Sequence, residues 1–166
     1  LLPPRAPGEV RLVAAMRLAR KKRPLVLPRA LAAALATGRS VRLVVAGDGP
    51  LQAALAEAAR RAGVGDRLHL VGWQSRAVLR ALHADADLFV LPTAEESFGI
   101  AALEARAAGL PVLGRAGTGL ADFVRDGVDG VLADSDEALA LAAARLAADA
   151  PARARLAAHA RAAPPT

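Results

Sequence analysis

The sequence contains no cysteine and no tyrosine, one tryptophan and three phenylalanines. Without cysteine there is no disulfide framework and no thiolate metal site, and a reducing compartment is allowed without being required. So few aromatic rings leave no stacking platform for nucleic acid. The net charge of +6, largely from arginine, is compatible with nucleic acid, an anionic membrane face or an anionic small molecule, and the scarcity of aromatic rings argues against the first. No apolar run approaches the roughly 20 residues that span a bilayer. The opening LLPPRAPGEV sets prolines where the apolar core of a signal peptide belongs. No His/Asp/Glu spacing indicates a metal site. His69 and His83 read as packing or surface residues, and His159 falls on a terminal helix.

What is there is an alternating pattern. A chain of 166 residues is about one domain and long enough for a core. Apolar stretches at 9–18, 40–50, 66–73, 86–93, 111–114 and 130–133 read as strands. Helical patterns follow over about 25–37, 51–62, 75–83, from Ser97 as N-cap to Ala108, and over 136–148 and 151–162. Pro28 falls in a first helical turn, where its missing N–H costs nothing. Near-continuous apolar strands, each followed by a helix, predict a Rossmann-like, doubly wound parallel α/β sheet of about six strands flanked by helices.

In such a sheet, with strand order 3-2-1-4-5-6, ligands sit beyond the carboxyl ends of strands 1 and 4, where the winding reverses. The loop after strand 1 carries Arg17, Lys21, Lys22 and Arg23. The loop after strand 4 is Thr93-Ala94-Glu95-Glu96-Ser97-Phe98-Gly99, leading into a helix N-terminus whose free N–H groups suit a phosphate. Together they suit a diphosphate. Glu104, inside the helix, can accept two hydrogen bonds from a vicinal diol and so suits a ribose, and Glu96 suits a second sugar beyond the phosphates. Arg17 and Lys22 can neutralise a departing diphosphate without a metal.

Glu96 and Glu104 form an E-x7-E pair within ESFGIAALEARAAGLPV. That stretch resembles the retaining glycosyltransferases of group 1 (family 4), which have the two-domain GT-B fold. MRLARKKRP resembles their G-R-L-x-x-x-K-G segment, and VVAGDGP, HLVGW and FVRDGVDGVL match further landmarks in order. The resemblance covers about residues 9–162. It implies that residues 1–166 are the C-terminal, nucleotide-sugar-binding domain, with the N-terminal acceptor domain and the final crossover helix absent. It further implies that Arg17 and Lys22 hold the diphosphate, Glu104 the ribose and Glu96 the donor sugar. Ser97, Phe98, Gly99 and Ile100 lie near sugar and phosphate on this reading, and Gly72 and Trp73, with Gln74, near the base. No cofactor and no metal are expected; the donor is a nucleoside-diphosphate sugar, UDP- or GDP-linked. Location is expected to be cytoplasmic, with peripheral contact of the full-length enzyme on the cytoplasmic membrane face left open.

The chain departs from that pattern at Met16 and Arg23, each in place of a glycine, and at Asp122 in place of the usual glutamate. Plainer readings stand beside the functional ones. Glu95 reads as a solvated loop acid, RKKR as a solvated basic loop, and Trp73 as a cover for the sheet edge. Gly117 and Gly119 read as turn residues after strand 5. A nicotinamide-dependent dehydrogenase would need G-x-G-x-x-G after strand 1, where MRLARKK stands instead. The serious alternative is a GT-B relative without transferase activity, an epimerase-like or regulatory nucleotide-sugar binder.

Overall fold

The structure is a computed structural model and describes residues 3–165. Six strands, β1 (Val10–Ala15), β2 (Val41–Ala46), β3 (Leu68–Gly72), β4 (Leu88–Leu91), β5 (Val112–Arg115) and β6 (Gly130–Ala133), form one parallel sheet in the order β3-β2-β1-β4-β5-β6. This is the order expected. β1, β2 and β4 are rich in Val, Leu and Ala and are covered on both faces, as parallel strands require.

The helices are α1 (Leu27–Leu35), α2 (Gln52–Arg61), α3 (Arg76–Ala84), α4 (Ile100–Ala107), α5 (Asp136–Ala148) and α6 (Ala150–Ala162). Right-handed crossovers put α1 and α2, which lead leftward from β1, on one face and α3 and α4, which lead rightward, on the other. α5 returns to pack on α1, and α6 packs on both α5 and α4. Among the described residues no helix is long and apolar enough to cross a membrane.

Two buried ion clusters hold the frame and were not legible as such. At the amino ends of β1 and β2, Arg11 donates to Glu9 at 3.0 Å and to Asp85 at 2.7 Å, and Arg42 donates to Glu9 at 3.0 Å. Arg42 also meets His69. Arg106 of α4 donates to Asp129 at 3.0 Å and to the carbonyls of Ala160 and Ala163, tying the end of α6 to α4. His83 packs edge-on against Phe89 with ring centroids 5.6 Å apart, in keeping with a packing role.

One helix start differs from expectation. Ser97 does not cap α4; the N-cap is Gly99, in the left-handed conformation with φ 59° and no side-chain cap. Ser135, by contrast, accepts a hydrogen bond from the Ala138 N–H at 3.0 Å at the head of α5. Ser135→Ala is therefore expected to cost about 1 kcal/mol. Ser97→Ala should stay within about 0.5 kcal/mol of the parent. Urea denaturation of the two variants checks the assignment, and equal losses would restore Ser97 as the cap.

Candidate functional site

β1 pairs with β2 along its whole length, Val10↔Val41 to Ala15↔Ala46, but with β4 only at Leu12↔Leu88 and Val13↔Phe89. Beyond that pair the two strands separate and a cleft opens between the loops at their carboxyl ends. It consists of two adjoining cavities of about 360 and 380 Å³ that share Ala15, Met16, Arg17 and Ala101.

The first cavity gathers Arg17, Lys22, Glu96, Phe98, Gly99, Ile100 and Glu104, all singled out from the sequence. The second takes Trp73 and Gln74 from the β3–α3 loop. Gly72 and Ser97, which were grouped with them, line neither. Gly72 instead accepts the Gly47 N–H at 2.8 Å, closing the end of β3 onto β2. Trp73, Phe98 and Ile100 are 73%, 76% and 64% exposed, so the cleft mouth carries exposed apolar side chains.

The loop after β1 makes a single 3-10 turn over Arg20–Lys22. Lys22 then donates from Nζ to Glu96 Oε2 at 2.7 Å, and its carbonyl accepts from buried Thr93 Oγ1 at 3.3 Å. Burial opposes the Glu96 charge, but the Lys22 hydrogen bond, the Gly99 and Phe98 N–H groups and the Lys22 charge hold its carboxyl below the usual range. Glu96 is thus an anion at neutral pH. The Phe98 and Gly99 N–H groups that favour its charge lie just ahead of α4, which has no side-chain cap.

Two neighbouring segments brace these loops. Leu18 donates to the Asp48 carbonyl at 2.7 Å, and Leu51 donates to the Leu18 carbonyl at 2.8 Å, so the GDGP turn after β2 carries the Arg17 loop. Gly119, after β5, donates to the Glu96 carbonyl at 2.7 Å. Gly99 does more than admit a ligand: a Cβ there would meet Leu120 Cδ2 at 2.7 Å. Its αL turn and its packing on Leu120 both call for glycine.

Glu104 stands half-buried between the first cavity and a separate one of about 310 Å³ between α3 and α4. It has no side-chain hydrogen-bond partner among the described residues, which leaves both oxygens for a diol. Arg17 is exposed and likewise unpaired, with its charge over the cleft. The arrangement offers two cations, an anion held at a helix start, and a free carboxylate around one cavity. That set can bind a diphosphate at one end and hydroxyls at the other.

The sequence profile described as "Glycosyl transferases group 1" matches residues 4–163. A D-inositol 3-phosphate glycosyltransferase of Mycolicibacterium smegmatis is 39% identical over 120 residues, which are 69% of this chain and 27% of that protein. The chain thus spans about a quarter of the length of that curated relative. WaaG, a glycosyltransferase involved in lipopolysaccharide biosynthesis, superposes with a TM-score of 0.84 at 27% identity, over 95% of this chain and 43% of that one. Anabaena Alr3699/HepE, in complex with UDP and glucose, superposes with a TM-score of 0.82 at 25% identity, over 93% of this chain and 43% of its own.

Proposed function

The chain belongs to the group 1 glycosyl transferases, and from that premise we propose that it is the donor-binding half of a two-domain enzyme that transfers a hexosyl group with retention. The single observation that carries the reading is the shared cavity: Arg17, Lys22, Glu96 and Glu104 come from two loops and a helix 87 residues apart at the extremes (104 − 17) and converge on one cleft. On this reading Arg17 and Lys22 bind the diphosphate and stabilise its charge as the glycosidic bond breaks. That stabilisation, aimed at charge that develops in the transition state, is where catalysis gains most. Glu104 takes the ribose hydroxyls and Glu96 the donor sugar. The acceptor hydroxyl attacks from the face the leaving group departs, so no side chain is assigned as a covalent nucleophile. The two cations fill the role a divalent metal would otherwise have at the leaving diphosphate.

A thermal-shift panel of UDP, GDP and their sugars tests donor binding, since a ligand that binds only the folded state raises stability by mass action. UDP comes first because the Anabaena relative was crystallised with it. A panel in which no nucleoside diphosphate raises the melting temperature would sink the proposal.

Glu104→Gln tests the ribose assignment. The amide keeps the size and one acceptor but loses the charge that strengthens bonds to a diol. The variant is expected to bind the nucleoside diphosphate about tenfold more weakly, about 1.4 kcal/mol. A 2′,3′-dideoxy analogue should bind parent and variant alike. A coupling energy near zero across that cycle of protein and ligand changes removes Glu104 from the ribose site.

A further inference from the structure

Arg23 follows Lys22 directly and has φ 55° and ψ 45°, the only positive φ at a non-glycine position among the described residues. A side chain disfavours that conformation, so something must hold it. The turn matters to the cleft. Arg23 ends the 3-10 turn that carries Lys22 and begins the next one, Pro24–Val26, which leads into α1.

Its side chain meets a partner 113 residues along the chain. The Arg23 guanidinium donates from Nη1 to Asp136 Oδ1 at 2.7 Å and from Nη2 to Asp136 Oδ2 at 2.5 Å. A third donation, from Nη1 to the Pro92 carbonyl, is longer at 3.4 Å. Asp136 is the first residue of α5, where the helix dipole favours a carboxylate, and Arg115 at the end of β5 donates to it at 2.7 Å. A two-toothed arginine–carboxylate pair fixes direction as well as distance.

We infer that Asp136 is a positioning residue for Lys22: by clamping the Arg23 guanidinium it keeps Arg23 left-handed and so aims Lys22 at the phosphate end of the cleft. Asp136 touches no ligand in this role; it acts through Arg23. The inference rests on the donor-binding reading for its ligand, though the loop geometry it describes does not. The Arg23 bond and charge, with Arg115 beside it, hold the Asp136 carboxyl below the ordinary carboxylate range, so the clamp is closed at neutral pH.

The test compares Asp136→Ala, Arg23→Gly and the double variant, with UDP and uridine as probes in calorimetry and amide hydrogen exchange as a ligand-free readout. Asp136→Ala is expected to weaken UDP about tenfold and leave uridine unchanged, because only the phosphate contact is misplaced. It should also speed exchange at the Lys22, Arg23 and Val26 amides, whose carbonyl partners lie within these two turns. Glycine takes the left-handed conformation without support. Adding Arg23→Gly should therefore restore both UDP affinity and protection in the Asp136→Ala background. Equal losses for UDP and uridine, or no rescue by Arg23→Gly, would overturn the positioning role. If UDP does not bind the parent chain, UDP as the donor nucleotide fails, and the exchange data alone decide the clamp: unchanged protection at Lys22 and Arg23 refutes it. Should Asp136→Ala fail to fold, Asp136→Asn carries the same comparisons with one acceptor retained.

Discussion

Lys22→Ala is expected to weaken nucleoside diphosphate binding about a hundredfold while leaving the bare nucleoside nearly untouched. The direct loss is one charge-assisted contact to phosphate, about 1.5–3 kcal/mol. A second loss adds to it. Lys22 neutralises Glu96 across 2.7 Å, and without it the carboxylate stands bare beside the incoming phosphates. The Phe98 and Gly99 N–H groups still favour the charged form of Glu96, and an ionised carboxylate there repels the ligand. Arg17 shields no such anion, and Arg17→Ala should cost only its own contact, roughly tenfold or somewhat more. The two mechanisms separate in the Lys22→Ala, Glu96→Gln double variant. If the bare carboxylate is part of the penalty, the double variant binds UDP more tightly than Lys22→Ala alone. Calorimetry with UDP and uridine on the four proteins is sufficient. A double variant no better than the single, or equal losses for uridine, would show that Lys22 does not face the phosphates.

The same pair shows where sequence reading reaches its limit. Strand order and the positions of Arg17, Lys22, Glu96 and Glu104 relative to the cleft were legible, because apolar strands punctuated by glycine turns fix which loops reach the carboxyl edge. That Lys22 and Glu96 neutralise each other was not. They had been given separate parts of one ligand, and nothing local tells a residue that its partner is 74 positions away. The start of α4 was misassigned as well. A serine ahead of an apolar helical pattern is the ordinary N-cap signal, but here the chain first turns left-handed at Gly99 and α4 begins only at Ile100, beyond the reach of that signal. Arg23 is the opposite case. Its place where the resembled family pattern has glycine was visible; that the turn there is left-handed is seen only in the structure. The missing information was its support, Asp136, 113 residues along the chain. Arg11 with Glu9, and Arg106 with Asp129, were hidden because a strand or helix carrying one charge looks the same whether that charge is solvated or buried in a pair.

Gly47→Ala is expected to produce the largest loss of stability of any change proposed for the chain, and to do so through the binding loop. Gly47 opens the GDGP turn at φ +130°, which is close to glycine-only backbone. An added Cβ would lie 1.8 Å from the Met16 carbonyl oxygen and 2.9 Å from its carbon. Both are main-chain atoms, so no side-chain rotation relieves the contact. One strand or the other must move, yet both are pinned. Met16 donates to the Ala46 carbonyl at 3.0 Å, and Gly47 donates to the Gly72 carbonyl at 2.8 Å. Backbone strain and overpacking together should cost about 3 kcal/mol or more, a fall of roughly 6–12 °C in melting temperature for a domain of this size. Because Met16 immediately precedes Arg17, UDP affinity measured well below the new melting point should fall as well. Gly117→Ala supplies the control. It also has positive φ, at +74°, but its Cβ would meet nothing within 4 Å, so it carries backbone strain alone, about 1–2 kcal/mol. If Gly47→Ala melts no lower than Gly117→Ala, close approach to Met16 is not what that glycine is for, and the GDGP turn does not brace the Arg17 loop.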